Sequence, residues 1–216
     1  MKIKDITDVI ERFAPLAYQE SYDNAGLIVG RPDDEVRQAL LAVDVTDEVL
    51  DEAEREGCDL VITHHPIVFH PLKRFNSADM VQRCVERAIR RGIALYACHT
   101  NLDSAPEGMS WRLAALLGIG ELSVLQPSEG DPRAGFGVVG ELPEVEFLRR
   151  MQQRLGVKVV RHSDLVSEQV RRIALCTGAG ASLMADARRA GADLYVTADL
   201  KYNDFMFPDG EFVVAD

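Results

Sequence analysis

Two stretches of this chain, Val36–His65 and Val170–Asp199, align without a gap at an offset of 134 positions. Nine of the 30 aligned positions are identical, among them Arg37/Arg171, Gly57/Gly191, Asp59/Asp193, Leu60/Leu194 and Thr63/Thr197. Each copy reads as an apolar strand, an amphipathic helix, a glycine and a second apolar strand. The glycine falls where a helix C-terminus wants a positive φ. Any two strand–helix–strand units share such periodicity, because burial against a sheet demands it. The identical spacing Gly-x-Asp-Leu-x-x-Thr goes further and favours an internal duplication. A chain built twice from this unit is confined to the α/β class.

The rest of the sequence extends the alternation. Strand candidates lie at Leu27–Val29, Ala39–Val45, Leu60–Thr63, Ile93–Cys98, Val157–Val160, Ile173–Cys176, Leu194–Thr197 and Phe212–Ala215. Helical spacing marks Ile6–Phe13, Asp47–Glu56, Asp79–Arg91, Ser110–Leu117, Glu144–Leu155 and Ser182–Ala190. This order predicts α/β layers with a largely parallel sheet. The stretch Glu121–Glu141, rich in Gly and Pro, is the loosest and reads as a domain junction or a hairpin-bearing connection. Two related α/β domains are therefore expected, residues 1–125 and 126–216, with the end of the chain free to return to the first.

Composition supports a packed protein. The 216 residues are 47% apolar and 27% charged, which excludes a disordered tail, a collagen-like rod and a disulfide-stapled mini-protein. Lys and Arg number 24 against 35 Asp and Glu, a net charge of −11. Such a surface repels phosphate backbones and anionic membranes at long range and attracts cations. No apolar stretch is long enough to span a membrane, and Met1–Phe13 lacks the apolar core of a signal peptide. Cys58, Cys84, Cys98 and Cys176 form no C-x-x-C pair and read as reduced core residues, so a cytoplasmic protein is expected.

Chemistry concentrates at two strand ends. Thr63-His64-His65-Pro66 closes one apolar strand, and His99-Thr100-Asn101-Leu102-Asp103 follows the next. In open α/β sheets ligands gather beyond the carboxyl ends of the strands, so both clusters are expected at one edge. Imidazole and carboxylate suit a first-row divalent metal. Adjacent histidines at a strand end point apart and suit two neighbouring ions better than one. One strand-end histidine alone reads as a packing residue. Three with a carboxylate, buried without a charge partner, would be costly. His70 and His162 read as ordinary loop and strand-end residues.

These motifs, with Tyr22-Asp23-Asn24-Ala25-Gly26-Leu27 and Thr197-Ala198-Asp199-Leu200-Lys201-Tyr202, resemble the Nif-three-like dinuclear-metal-centre family. Its members carry the name GTP cyclohydrolase I type 2. The resemblance spans essentially the whole chain. It implies two α/β domains with a two-metal site in the cleft between them, and a homohexamer built as a trimer of dimers. It also implies His64 and His65 as ligands of different metals, Asp103 as a third ligand, and His99 lining the site as an orienting or proton-relaying residue. The family pattern continues past the last strand with a His and a Glu ligand, whereas this sequence ends at Asp216, so reduced metal occupancy is expected. Asn203 stands where many relatives carry His.

Weaker signals complete the reading. Asp199, the repeat partner of His65, is a candidate to support the site from the second half, or else a turn-forming Asp. Lys73 and Arg74 are candidate contacts to a substrate phosphate, with a solvated pair as the plainer alternative. Arg83, Arg87, Arg90 and Arg91 read as a charged helix face. No GxxxxGK[ST], GxSxG or HExxH occurs. Two functions follow: a metal-dependent hydrolase, with GTP as the substrate the resemblance implies, or a non-catalytic metal carrier or regulatory scaffold. His and carboxylate ligands admit Zn, Fe, Mn, Co or Ni.

Overall fold

The computed structural model describes residues 1–144, 147–167 and 169–216. The chain forms two compact units, Met1–Leu102 and Asp103–Asp216. The boundary expected at 125/126 falls inside a strand, because the Gly/Pro-rich stretch forms a hairpin within the second unit rather than a junction.

The first unit contains α1 (Ile3–Phe13), β1 (Gly26–Val29), β2 (Ala39–Ala42), α2 (Asp47–Glu56), β3 (Leu60–Thr63), α3 (Met80–Arg91) and β4 (Ala94–Ala97). A short helix, α4 (Thr100–Ser104), runs across the boundary. The sheet order is β1-β4-β3-β2, with β2, β3 and β4 parallel and β1 antiparallel to β4. Alternating side chains of β3 and β4 feed two cores. Val61 and Leu95 pack with Leu50, Ala53, Cys84 and Ala88 of α2 and α3, while Leu60, Ala94 and Tyr96 pack with Ile3 of α1. β4 is buried along its whole length, as a central parallel strand covered on both faces should be.

The second unit holds α5 (Met109–Leu117), β5 (Gly120–Ser128), β6 (Asp131–Glu144), α6 (Phe147–Leu155), β7 (Val170–Ala179), α7 (Met184–Arg189), β8 (Leu194–Ala198) and β9 (Val213–Ala215). Its sheet runs β5-β6-β7-β8-β9. β5, β6 and β7 are antiparallel neighbours, and β7, β8 and β9 are parallel. Helices α5 and α6 cover one face through Ala114, Leu117, Phe147 and Met151, and α7 covers the other through Met184 and Ala187. The sheets are thus mixed rather than largely parallel. Val157–Val160 forms no strand; an antiparallel bridge from His162 to Ala215 lies just beyond it. Of the helix expected over Glu144–Leu155, Val145 and Glu146 lie outside the described residues.

The two copies of the repeat share local geometry at three matched points. β2 pairs β3 with Ala39 opposite Leu60, and β7 pairs β8 with Ile173 opposite Leu194, the same register at the same offset. Gly57 and Gly191 both take φ 70° beyond their helices. Asp59 accepts the Arg37 backbone N–H at 2.9 Å, and Asp193 accepts that of Arg171 at 2.9 Å. The recurring Asp ties the start of one strand to the start of its neighbour in each unit.

Candidate metal centre

β2, β3 and β4 end side by side, and the residues just past each end build the site. Because β2 stops at Ala42, Val43 and Asp44 leave the sheet edge. The His65 N–H donates to the Val43 carbonyl at 3.0 Å, and the Thr63 hydroxyl donates to the His65 carbonyl at 2.9 Å. These bonds turn the chain off β3 at His64. The period-two alternation therefore ends at Thr63, and the two rings do not diverge. Their centroids lie 4.9 Å apart, with His99 at 5.3 Å from His64 and 5.6 Å from His65. One nitrogen from each of the three rings lies within 4.8 Å of the others, so the cluster could hold a metal ion.

Each ring is fixed by an oxygen at Nδ1. His64 Nδ1 donates to the Cys98 carbonyl at 2.8 Å, His65 Nδ1 pairs with Asp44 Oδ1 at 2.8 Å, and His99 Nδ1 pairs with Asp23 Oδ1 at 2.7 Å. A carbonyl can only accept, and an ionised carboxylate likewise, so all three protons belong on Nδ1. The lone pairs are left on Nε2, the nitrogen that a metal would take. An oxygen behind the outer ring nitrogen is the usual support of a metal-binding imidazole, because it sets the tautomer and raises ligand basicity. The donor set fits a first-row divalent ion.

The supports differ in depth. The Asp23 side chain is 0% exposed, and Asp44 is 57% exposed. Burial pushes the Asp23 carboxyl up, but hydrogen bonds from His99, the Thr100 hydroxyl and the Asn24 and Thr100 backbone N–H groups outweigh it and hold it below the usual range. Reading the motifs did not single out Asp23 or Asp44. Asp23 sits within the quoted Tyr22–Leu27 motif, and Asp44 directly follows an apolar strand, a position that could have flagged it.

The family assignment rests on the same residues together with the whole chain. The model of the Duf34/NIF3 family (NGG1p interacting factor 3) matches residues 1–211. The chain belongs to the Duf34/NIF3 family. It is 35% identical over 207 residues to a Clostridium perfringens protein named GTP cyclohydrolase 1 type 2 homolog, covering 94% of this chain and 79% of that one. Among solved structures, a Staphylococcus aureus protein superposes with a TM-score of 0.90 at 26% identity, over 100% of this chain and 85% of that one. Reduced HcgD from Methanocaldococcus jannaschii matches with a TM-score of 0.85 at 28% identity, covering 100% and 86%.

Within this Duf34/NIF3 chain Lys73 and Arg74 belong to the first unit, and Asp103 and Asp199 to the second. Asp103 lies on α4, four residues after His99, and is half-buried. Lys73 and Arg74 are exposed in the loop between β3 and α3. Asp199 follows β8, exposed and at φ 58°, a left-handed conformation that Asp tolerates better than most residues. His70 is exposed and stacks edge-on against Phe69 at 5.1 Å. All four cysteines are free and buried, and burial pushes the Cys84, Cys98 and Cys176 thiols up to about 11. They are therefore thiols at neutral pH, not thiolate ligands. Arg83 and Arg87 of the basic helix face are ion-paired to Asp47, Asp51 and Glu54 of α2. Among the described residues no helix is long and apolar enough to cross a membrane.

Proposed function

We propose that this chain binds two divalent metal ions and acts as a metal-dependent hydrolase of the GTP cyclohydrolase I type 2 kind. The observation that carries the reading is the convergence of His64, His65 and His99, each with Nδ1 tied to an oxygen. The name borne by the Clostridium perfringens relative supports the choice of substrate. His64 and His65 are the proposed ligands, with Asp103 as the carboxylate that the motif match adds. Zn, Fe, Mn, Co and Ni all suit such donors, and the bound ion supplies Lewis-acid chemistry at neutral pH. His99, with Nδ1–H held by the buried Asp23, orients substrate and moves a proton at Nε2. Lys73 and Arg74 offer positive charge to the substrate's phosphates.

The test joins metal quantification by mass spectrometry to an assay of GTP turnover with formate release. Wild-type protein should retain metal and turn GTP over. His64→Ala, His65→Ala and Asp103→Ala should lose metal, and His99→Ala should keep metal and lose turnover. Metal-loaded protein inert toward GTP, with His65→Ala and Asp103→Ala changing nothing, would remove the proposal. The homohexamer, in a cytoplasmic setting, is the assembly proposed with it, and sedimentation of the metal-loaded protein reads it directly.

One observation favours a second reading. The His65 side chain is 48% exposed and its Asp44 support 57% exposed, an open arrangement suited to metal exchange. A metal carrier would pass its ion to a competing chelator within minutes and show no nucleotide turnover.

A further inference from the structure

The turn Tyr22-Asp23-Asn24 reaches three parts of the first unit at once. Asp23 Oδ1 holds His99 Nδ1 at 2.7 Å, and the Asn24 amide donates to the Val68 carbonyl at 2.7 Å. Tyr22 lies edge-on to Phe69, with ring centroids 6.3 Å apart. The Phe69 ring in turn stands nearly perpendicular to that of His99, at 84° and 6.1 Å. The imidazole cluster of His64, His65 and His99 thus continues outward through Phe69 to Tyr22. All these residues lie in Met1–Leu102.

The loop that carries Phe69 is held in place. It runs from Pro66 to Pro71, two residues whose rings fix φ. Ile67 packs against the core shared with α2 and α3, and the Asn24 amide grips the backbone at Val68, directly before Phe69. These contacts do not bury the aromatic pair: Phe69 is 38% exposed and Tyr22 63% exposed. Packing alone gives no reason to fix an apolar ring beside polar imidazoles and leave it open to water. Apolar surface set among a few polar groups is the usual build of a small-molecule site.

We infer that Phe69 is a specificity-determining residue of the histidine site, the surface on which the planar base of a nucleotide substrate stacks. The inference rests on the reading of that site as a nucleotide hydrolase and deepens it. Stacking needs a flat partner and accepts any base, because every base has a π-face. It therefore selects nucleotides over non-aromatic phosphates, a choice that metal ligands alone cannot make. A ring already fixed by its loop loses little freedom when the base arrives. Lys73 and Arg74, the residues proposed for the phosphates, follow four and five positions later in the same connection between β3 and α3. That one connection supplies both a flat apolar surface and positive charge, the two features a nucleotide requires.

Isothermal titration calorimetry of GTP into the full chain, with a manganese salt present, tests the inference apart from turnover. Phe69→Ala should weaken GTP binding by about tenfold. Phe69→Leu, apolar but without a π-face, should weaken it nearly as much, and Phe69→Trp should keep the wild-type affinity. All three variants should hold the wild-type metal content by mass spectrometry, which separates stacking from damage to the site. Unchanged affinity in Phe69→Ala or in Phe69→Leu overturns the inference. So does metal lost together with affinity in Phe69→Ala, or a wild-type chain that binds no GTP. The hydrolase reading fails separately: GTP bound in a Phe69-dependent way but never turned over keeps the stacking residue and removes the reaction.

Discussion

Asp59 accepts the backbone N–H of Arg37 at 2.9 Å and both arms of its guanidinium, and these bonds pull its carboxyl down to about 2. A lowered carboxylate stabilises the fold above its unfolded value of 3.8, and the contribution fades as pH falls toward 2. Because Arg37 is 81% exposed, solvent screens the pair, and Asp59→Asn should cost about 1 kcal/mol at pH 7. Urea unfolding of the two proteins at pH 7 and pH 3 should show the gap narrowing in acid. At Asp23 the cost comes from orphaned donors instead. Asp23→Ala leaves the Thr100 N–H and hydroxyl without their acceptor at a buried position, so about 2 kcal/mol of stability should be lost in the same assay. His99 should also lose its fixed tautomer, visible in the nitrogen shifts of its ring by NMR.

The repeat makes a prediction that belongs to elements rather than to single side chains. Gly57 and Gly191 close α2 and the α7 turn at the same φ of 70°, and a Cβ at either meets nothing within 4 Å. Gly57→Ala and Gly191→Ala should therefore each cost about 1 kcal/mol, the left-handed penalty alone, with equal values in thermal or urea unfolding. Gly135 is a different case. A Cβ there would lie 2.1 Å from the Gln126 carbonyl across the β5–β6 pairing, so Gly135→Ala must force the strands apart. A loss of about 3 kcal/mol is expected, well above that at Gly57.

For the whole molecule, the proposed metal binding would couple to stability. A ligand that binds only the folded state stabilises it by about 2.7 kcal/mol at a hundredfold excess over its dissociation constant. Divalent metal should therefore raise the calorimetric melting temperature by about 5–10 °C. Chelator should reverse the rise, and His64→Ala/His65→Ala should abolish it. Since the three histidines all lie in Met1–Leu102, the shift should fall on the transition of that unit where the two units melt separately.

The sequence by itself determined the α/β class, the recurring strand–helix–Gly–strand unit, the helix ends at Asp79 and Gly57, and the histidines worth watching. Periodicity, capping and turn chemistry are local, so they are written in neighbouring residues. Strand direction was not legible: β1, β5 and β6 run antiparallel because of pairings made far along the chain, and the Gly/Pro-rich stretch looks alike as linker or hairpin. Val157–Val160 has strand composition without a strand partner. The site divides in the same way. His64 and His65 stand out by adjacency, but the closeness of their rings needed the turn at Thr63, and their supports come from 34 and 21 residues away. Tertiary structure alone decided that Asp23, Asp44 and the Cys98 carbonyl stand behind three imidazoles. A hydrogen bond across the fold depends on which strand ends meet, and no local pattern encodes that meeting.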